Sequence, residues 1–304
     1  MKSRTRIFFV LLALMTAANG WTQDDAGASD DSEALKLAAL EALIAAPPER
    51  ALPLATKVLA GNHSKEVKAR ALFVLSQIDD PAAQQQLIRT AEQNGGELQA
   101  EAIRMVGIGG NEAALARLAG LYRSGDEATR RAVLEAYMIA GDVDGVFEIA
   151  RNTESEADFE HAVNMLAAMG AHDELRQLRA TAGLSSSLIN AYGISGDVDS
   201  LLELVRDGSN PEQQAQAIQA LAIAGTGKGE DVTSILRDAY RNSDTQVVRD
   251  AALQGLIIVG DDETMLQLYR TSDSAAEKRQ LMQALAATGS DRILEIIDEA
   301  LAEQ

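Results

Sequence analysis

From Glu33 to the end of the chain, apolar positions recur three and four residues apart, and no stretch alternates apolar with polar residues for long. That period belongs to amphipathic helices. The pattern is itself repeated. Asp79, Gly110, Gly141, Gly170, Gly196, Gly225, Gly260 and Gly289 act as anchors, 26 to 35 residues apart. Seven positions before them stand Leu72, Ile103, Leu134, Val163, Ile189, Ile218, Leu253 and Met282. Four positions before stand Leu75, Val106, Tyr137, Leu166, Tyr192, Leu221, Leu256 and Leu285. Five positions before stand small or medium residues, such as Ala136, Ala191, Ala220, Gly255 and Ala284. These residues define one helix ending at each anchor. Apolar residues five positions later (Leu115, Val146, Leu175, Leu201, Met265) start a second helix. A degenerate first copy uses Leu40, Leu43, a Pro47-Pro48 break and Leu52. Leu256 to Val259, apolar enough for a buried strand, fits the helix period of its neighbours better.

A single helical hairpin cannot bury both its faces, whereas stacked hairpins can. The pattern therefore predicts an all-α solenoid of about nine antiparallel helix pairs over residues 33–304. The terminal helix 290–303, with Glu295, Asp298, Glu299 and Glu303, reads as a polar cap. Residues 181–190, TAGLSSSLIN, mark the shortest repeat, a position for a hinge or a simple deletion.

Residues 141–145 read Gly-Asp-Val-Asp-Gly and 196–200 read Gly-Asp-Val-Asp-Ser. Paired aspartates beside glycine resemble a calcium loop, but an EF-hand needs a ligand at position 5 and glycine at position 6. Here Val146 falls at position 5 and Gly145 at position 4. The alternative is turn chemistry: a left-handed glycine ends one helix and the next residue caps the following one. Asn111, Asp142, Asp197, Asp261 and Ser290 all occupy that capping place, and Asp80 does so ahead of Pro81. The other helix of each pair carries cap signals at Asp126, Ser155, Asn210, Asp244 and Asp273.

Asp244-Thr-Gln-Val-Val-Arg-Asp-Ala-Ala-Leu-Gln-Gly-Leu-Ile-Ile-Val-Gly-Asp261 resembles a short bacterial HEAT repeat of the kind also present in phycobilisome lyase subunits. Lys65 to Leu72 is a fainter copy. The resemblance implies a right-handed α-solenoid that binds proteins and implies no enzyme. A lyase-like or cofactor-handling chaperone is the alternative it suggests. The tetratricopeptide signature, which would imply a different helical repeat, is absent.

Candidate chemistry is sparse. Gly225-Thr-Gly-Lys-Gly229 lacks the first glycine and the hydroxyl residue of a phosphate loop, and reads as an insertion in a turn. Gly193-Ile-Ser-Gly196 lacks the second glycine of a nucleophile elbow. His63, His161 and His172 have no metal-ligand spacing. No catalytic residue, metal or cofactor is assigned. One pattern does suggest binding. Arg89, Arg123, Arg151, Arg179, Arg206, Arg241 and Arg270 fall near the ends of successive helices, three of them after Tyr122, Tyr240 and Tyr269. Equivalent positions stack in a solenoid, so these residues are candidates for gripping partner carboxylates. The same arginines equally suit helix C-termini or pairing with acids of the next repeat.

Composition adds a compartment and a field. Lys2, Arg4 and Arg6 precede an apolar run Ile7–Met15 and the small residues Ala18-Asn19-Gly20, the layout of a secretory signal cleaved before Trp21. Residues 21–32 read as a disordered acidic leader. The chain has no cysteine, which removes disulfides, thiol catalysis and thiolate metal sites. Its formal net charge of −19 disfavours nucleic acid and anionic membrane surfaces. The expected protein is a non-catalytic periplasmic or secreted scaffold that binds another envelope protein, without nucleic acid and without membrane insertion after cleavage. N-terminal sequencing of the exported protein is expected to begin at Trp21; a mature chain starting at Met1 would contradict the signal.

Overall fold

The computed structural model describes residues 27–93, 98–225 and 230–302. The predicted signal at 1–20, Trp21 and the Thr-Gly-Lys-Gly stretch at 226–229 lie outside them. The described residues form 18 α-helices and no strand. The odd-numbered helices are α1 (Gly27–Leu43), α3 (Lys65–Ser76), α5 (Gln99–Gly109), α7 (Glu127–Ala140), α9 (Glu156–Ala168), α11 (Ser186–Ser195), α13 (Pro211–Ala224), α15 (Gln246–Val259) and α17 (Ala275–Thr288). The even-numbered ones are α2 (Pro48–Ala60), α4 (Pro81–Ala91), α6 (Glu112–Ser124), α8 (Val143–Asn152), α10 (His172–Ala182), α12 (Val198–Asp207), α14 (Glu230–Asn242), α16 (Asp262–Thr271) and α18 (Arg292–Ala302). α1 starts at Gly27, inside the segment that composition alone marks as leader. Among the described residues no helix is long and apolar enough to cross a membrane.

Close packing joins each helix to those one or two places away in the chain, which is the defining property of a solenoid. The residues seven and four before each anchor are almost all buried and form one continuous core. α11 is only 10 residues long, as the short repeat requires, yet it packs closely on both α9 and α13.

The caps follow the predicted chemistry. Asp142 Oδ1 accepts from Gly145 N at 2.9 Å and Asp197 Oδ1 from Ser200 N at 3.3 Å. Asn111, Asp261 and Asp126 cap α6, α16 and α7 in the same way. Anchors such as Gly141 and Gly196 are left-handed, at φ 71° and 73°. Gly225 departs from this, at φ −89°, where the chain enters its insertion. Two caps shift by one residue: Thr245 and Ser274, not Asp244 and Asp273, precede α15 and α17. Gly145 does not belong to the turn. It lies inside α8, and a Cβ there would stand 2.7 Å from the Tyr137 ring, so the glycine makes room for the aromatic.

Two further interactions set the layering. First, consecutive odd helices approach through small residues. A Cβ on Gly107 would lie 2.4 Å from the Ala136 carbonyl oxygen, and one on Gly193 would lie 3.1 Å from the Ala220 Cβ. Consecutive even helices meet only sparsely. A stack spaced more tightly on one side curves toward that side, which makes the odd helices the inner layer. Second, eleven positions before several anchors a side chain donates to a carbonyl ending the preceding even helix or its loop. Gln99 reaches Ala91 O at 3.0 Å, Arg130 reaches Gly125 O at 3.0 Å, Gln214 reaches Val205 O at 2.8 Å and Arg249 reaches Ser243 O at 2.7 Å. These donors fill orphan helix-end acceptors. They also correct the predicted pairing. For most repeats the more extensive partnership joins an even helix to the odd helix after it, not the two helices flanking the anchor.

Gly107→Ala is expected to lower the unfolding free energy by about 1–3 kcal/mol in urea titration, because the Ala136 backbone cannot move aside. Gly110→Ala, where a Cβ meets nothing but φ is 62°, is expected to cost about 1–2 kcal/mol through backbone strain alone. A Gly107→Ala variant as stable as the parent would refute the close approach of α5 and α7.

Candidate interaction surfaces

The seven arginines of the predicted row all lie in the last turns of even helices, on the outer layer. Several are engaged. Arg151 pairs with Glu148 of its own helix at 2.8 Å, Arg179 with Glu203 of the next even helix at 2.9 Å and Arg270 with Glu295 of the next at 3.2 Å. Arg241 Nη2 donates to Thr271 Oγ1 at 3.4 Å. Arg89, Arg123 and Arg206 are exposed, with no carboxylate within 4 Å among the described residues. Acids from the next repeat thus take up part of the row and leave three guanidinium groups facing solvent.

Two of the three tyrosines do not accompany them on the surface. Tyr240 and Tyr269 are buried, 3% and 7% exposed. Burial together with Glu277 pushes the Tyr240 phenol well above its ordinary range. Lys278 lies over the Tyr269 ring, 5.4 Å from its centroid. Tyr122 is half-buried and donates to Asp158 Oδ2 at 3.0 Å, beside Arg130, which pairs with the same carboxylate at 2.7 Å. Tyr240 and Tyr269 thus belong to the core.

Because the even helices splay apart, grooves open between them. The groove between α6 and α8 has a volume of about 1120 Å³ and holds Tyr122, Arg123, Glu148 and Asn152 along its walls, with Tyr137 at its base. The Tyr137 hydroxyl donates to Leu115 O at 3.3 Å, and burial, with a smaller push from Asp142, raises it to about 12. It is neutral at physiological pH and acts as a buried strut. Arg123 stands beside Glu148 across this groove, so both signs of charge are presented at its rim.

One polar cluster sits at an anchor turn. Asp197, whose side chain is 2% exposed, accepts from Arg176 Nη2 at 2.7 Å and from Ser200 Oγ at 2.8 Å, and His172 Nδ1 lies 3.8 Å away. Burial alone would raise this carboxyl, but the Arg176 and Ser200 hydrogen bonds outweigh it and hold the group below its ordinary value. The arrangement joins the starts of α10 and α12 and has no open coordination geometry. Among the described residues no group of three or more His, Asp or Glu side chains is placed to hold a metal. His63 is half-buried in the loop between α2 and α3, and His161 Nε2 is buried without a hydrogen-bond partner among the described residues.

The inner layer carries rows of residues that the core periodicity does not include. Two positions before the anchors stand Ile108, Ile139, Ile194, Ile223 and Ile258, all exposed, with Ala168 and Ala287 at the equivalent places. One turn earlier stand Asn164, Asn190, Gln219, Gln254 and Gln283, from half-buried to exposed. Gln219 Nε2 donates to Gln254 Oε1 at 3.0 Å, so this second row is continuous from α13 to α15. At the same position in the earlier repeats Arg104 pairs with Glu135 at 2.7 Å. An apolar residue on the exposed side at a fixed distance from each glycine was the available signal.

Comparison with known proteins gives little beyond the architecture. No family model matches the chain, and no curated protein matches it. A chain from the complex of CpcE and CpcF of phycocyanin lyase from Nostoc sp. PCC7120 is similar at 18% identity, covering 83% of this chain and 92% of that one, with a TM-score of 0.28. A computationally designed self-assembling cyclic homooligomer is similar at 14% identity over 88% of this chain and 99% of that one, with a TM-score of 0.14. The helices and their stacking described above carry the fold assignment independently.

Asp197→Ala is expected to destabilise the protein by about 1–3 kcal/mol at neutral pH, through loss of a cap and of a charge-assisted hydrogen bond. Its folded-state value lies below the ordinary 3.8, so its ionic contribution is present above that value and vanishes as pH falls through the folded one. The gap between parent and variant in urea midpoint should therefore narrow in acid. A gap that stays constant to about pH 3 would contradict the ion pair.

Proposed function

We propose that this chain is an exported, non-catalytic scaffold of the HEAT-repeat type, binding another protein of the cell envelope along the length of the stack. The observation that carries this reading is the long, repetitive surface itself. A solenoid core leaves one side chain per repeat at each equivalent position, and such rows suit an extended partner better than a compact substrate. The outer guanidinium groups of Arg89, Arg123 and Arg206 supply directional anchors for carboxylates, and the groove beside Arg123 supplies a notch for a partner side chain. The formal charge of −19 supports partners other than nucleic acid. The signal-like N-terminus supports a periplasmic or secreted location.

The reading is tested by crosslinked capture from envelope extract with the mature chain and an Arg123→Glu, Arg206→Glu variant of unchanged circular dichroism. One dominant protein partner that the variant binds at least about tenfold more weakly is the expected result. Recovery of a coloured or small-molecule ligand with no protein partner would overturn the scaffold and favour the cofactor-handling alternative.

A further inference from the structure

The two ends of the stack carry the two halves of a junction that the interior closes again and again. Inside the stack, the residues five and eight positions after an anchor form the core face of each even helix. Leu115, Leu118, Leu175, Leu178, Leu201 and Leu204 stand there and are at most 5% exposed. The odd helix that follows packs closely on the even one, as where the Leu236 side chain of α14 meets Gly255 of α15. In α18 the same two positions are Leu294 and Ile297, 63% and 40% exposed. Leu301 extends this face by one turn and is 74% exposed. Among the described residues no odd helix follows α18. The helix is seated on the preceding repeat through Ile296, which is fully buried, and its other apolar side is open. It is therefore not the polar cap that its acids suggest: Glu295 pairs with Arg270 at 3.2 Å and leaves the leucines uncovered.

α1 holds the opposite half. It faces the core with Leu40, and Leu37 and Leu43 pack beside it. Leu35, Ala38, Ala39 and Ala42 recur three and four residues apart on the other side and are exposed, Leu35 at 72%. In this first copy the Pro47 break takes the place of an anchor, and Leu35 falls twelve positions before it. Val248, twelve before Gly260, is fully buried. Ala42 falls five before, the place of Ala136 and Ala220, which receive Gly107 and Gly193 of the preceding odd helix. Those glycines stand three before their own anchors, and the equivalent residue of α17 is Ala286, an exposed alanine. An interior junction has two contacts, even helix to next odd helix and odd helix to odd helix. Each of them has one uncovered half at either end of the stack, with residues of matching size. A polar outer face is the usual ending of such a stack, and neither end has one. A second copy of this chain supplies both missing halves in register.

We propose that the chain associates with itself head to tail, α17 and α18 of one copy packing on α1 of the next as one repeat packs on another. Leu294, Ile297 and Leu301 cover Leu35 and its alanines, and Ala286 meets Ala42. The two surfaces differ, so the contact is heterologous: it builds a ring or an open row of solenoids, not a two-fold dimer. This goes beyond the scaffold reading above and does not depend on it.

The test is sedimentation velocity of the mature chain over about 1–100 μM, where the weight-average mass is expected to rise with concentration past that of a dimer. Leu294→Glu with Leu301→Glu blocks the α18 end, and Leu35→Glu with Ala42→Glu blocks the α1 end. Each variant alone is expected to associate at least about tenfold more weakly than the parent. All four positions are exposed, and circular dichroism confirms that the variants are folded. An equimolar mixture of the two variants retains one intact end of each kind and is expected to stop at a dimer. Ala286→Arg, on the seam between odd helices, should also weaken association at least about tenfold. A parent that is monomeric throughout the range would overturn the proposal. So would undiminished association of either end variant alone, which marks a contact between like ends, or a mixture of folded variants that forms no dimer. A monomeric chain that still captures an envelope protein would leave the scaffold standing and remove the end contact alone.

Discussion

The close approach of consecutive odd helices is the constraint from which the rest of the molecule follows. It exists because Gly107 faces Ala136 and Gly193 faces Ala220 with nothing between the helix backbones larger than a methyl group, while Gly255 lies close to Ala222 and also makes room for the Leu236 side chain of α14. The even helices carry Leu, Val and Tyr toward the core and are held further apart. Unequal spacing curves the stack, opens grooves on the outside and compresses the inside into a continuous face.

The anchors and caps convert that seam into a repeat. At Gly110, Gly141, Gly196 and Gly260 the left-handed glycine and its following Asn or Asp end one helix and start the next within two residues, which fixes the phase of the outer helix against the inner one. The long donors at Gln99, Arg130, Gln214 and Arg249 fix the other junction by reaching back to the preceding helix end. At Ser185 the donor is missing and the inner helix is also the shortest; there the Tyr192 hydroxyl reaches Leu175 O at 3.4 Å, as Tyr137 reaches Leu115 O in an earlier repeat.

Helix type, helix count and the capping role of the Gly-Asp steps were legible in the sequence, because each depends on residues close together in the chain. Asp142 could be separated from a calcium loop by Val146 at position 5 and the place of Gly145. The pairing phase was not legible. Both junctions are short, and which neighbour packs more fully depends on side-chain volumes across the interface, such as Tyr137 against Gly145. The arginine row was legible as a periodicity and its partners were not. Glu203 and Glu295 lie 24 and 25 residues from Arg179 and Arg270, at separations that only the rise of the stack converts into ion pairs. The exposed isoleucines recur at the same place in the repeat, but an apolar residue in a helix is by default a core residue, and only the fold shows which side of the glycine faces out.

The central claim is that the inner layer is spaced more tightly than the outer one. The chain has no cysteine, so pairs of spin labels can be introduced without background. Labels at Ile139 and Ile194 span two steps of the inner layer, and labels at Glu148 and Glu203 span the equivalent two steps outside. Double electron–electron resonance on the two doubly labelled proteins compares the spacings directly. A shorter distance for the inner pair is the predicted result; equal distances, or a shorter outer pair, would contradict the curved stack and every surface derived from it.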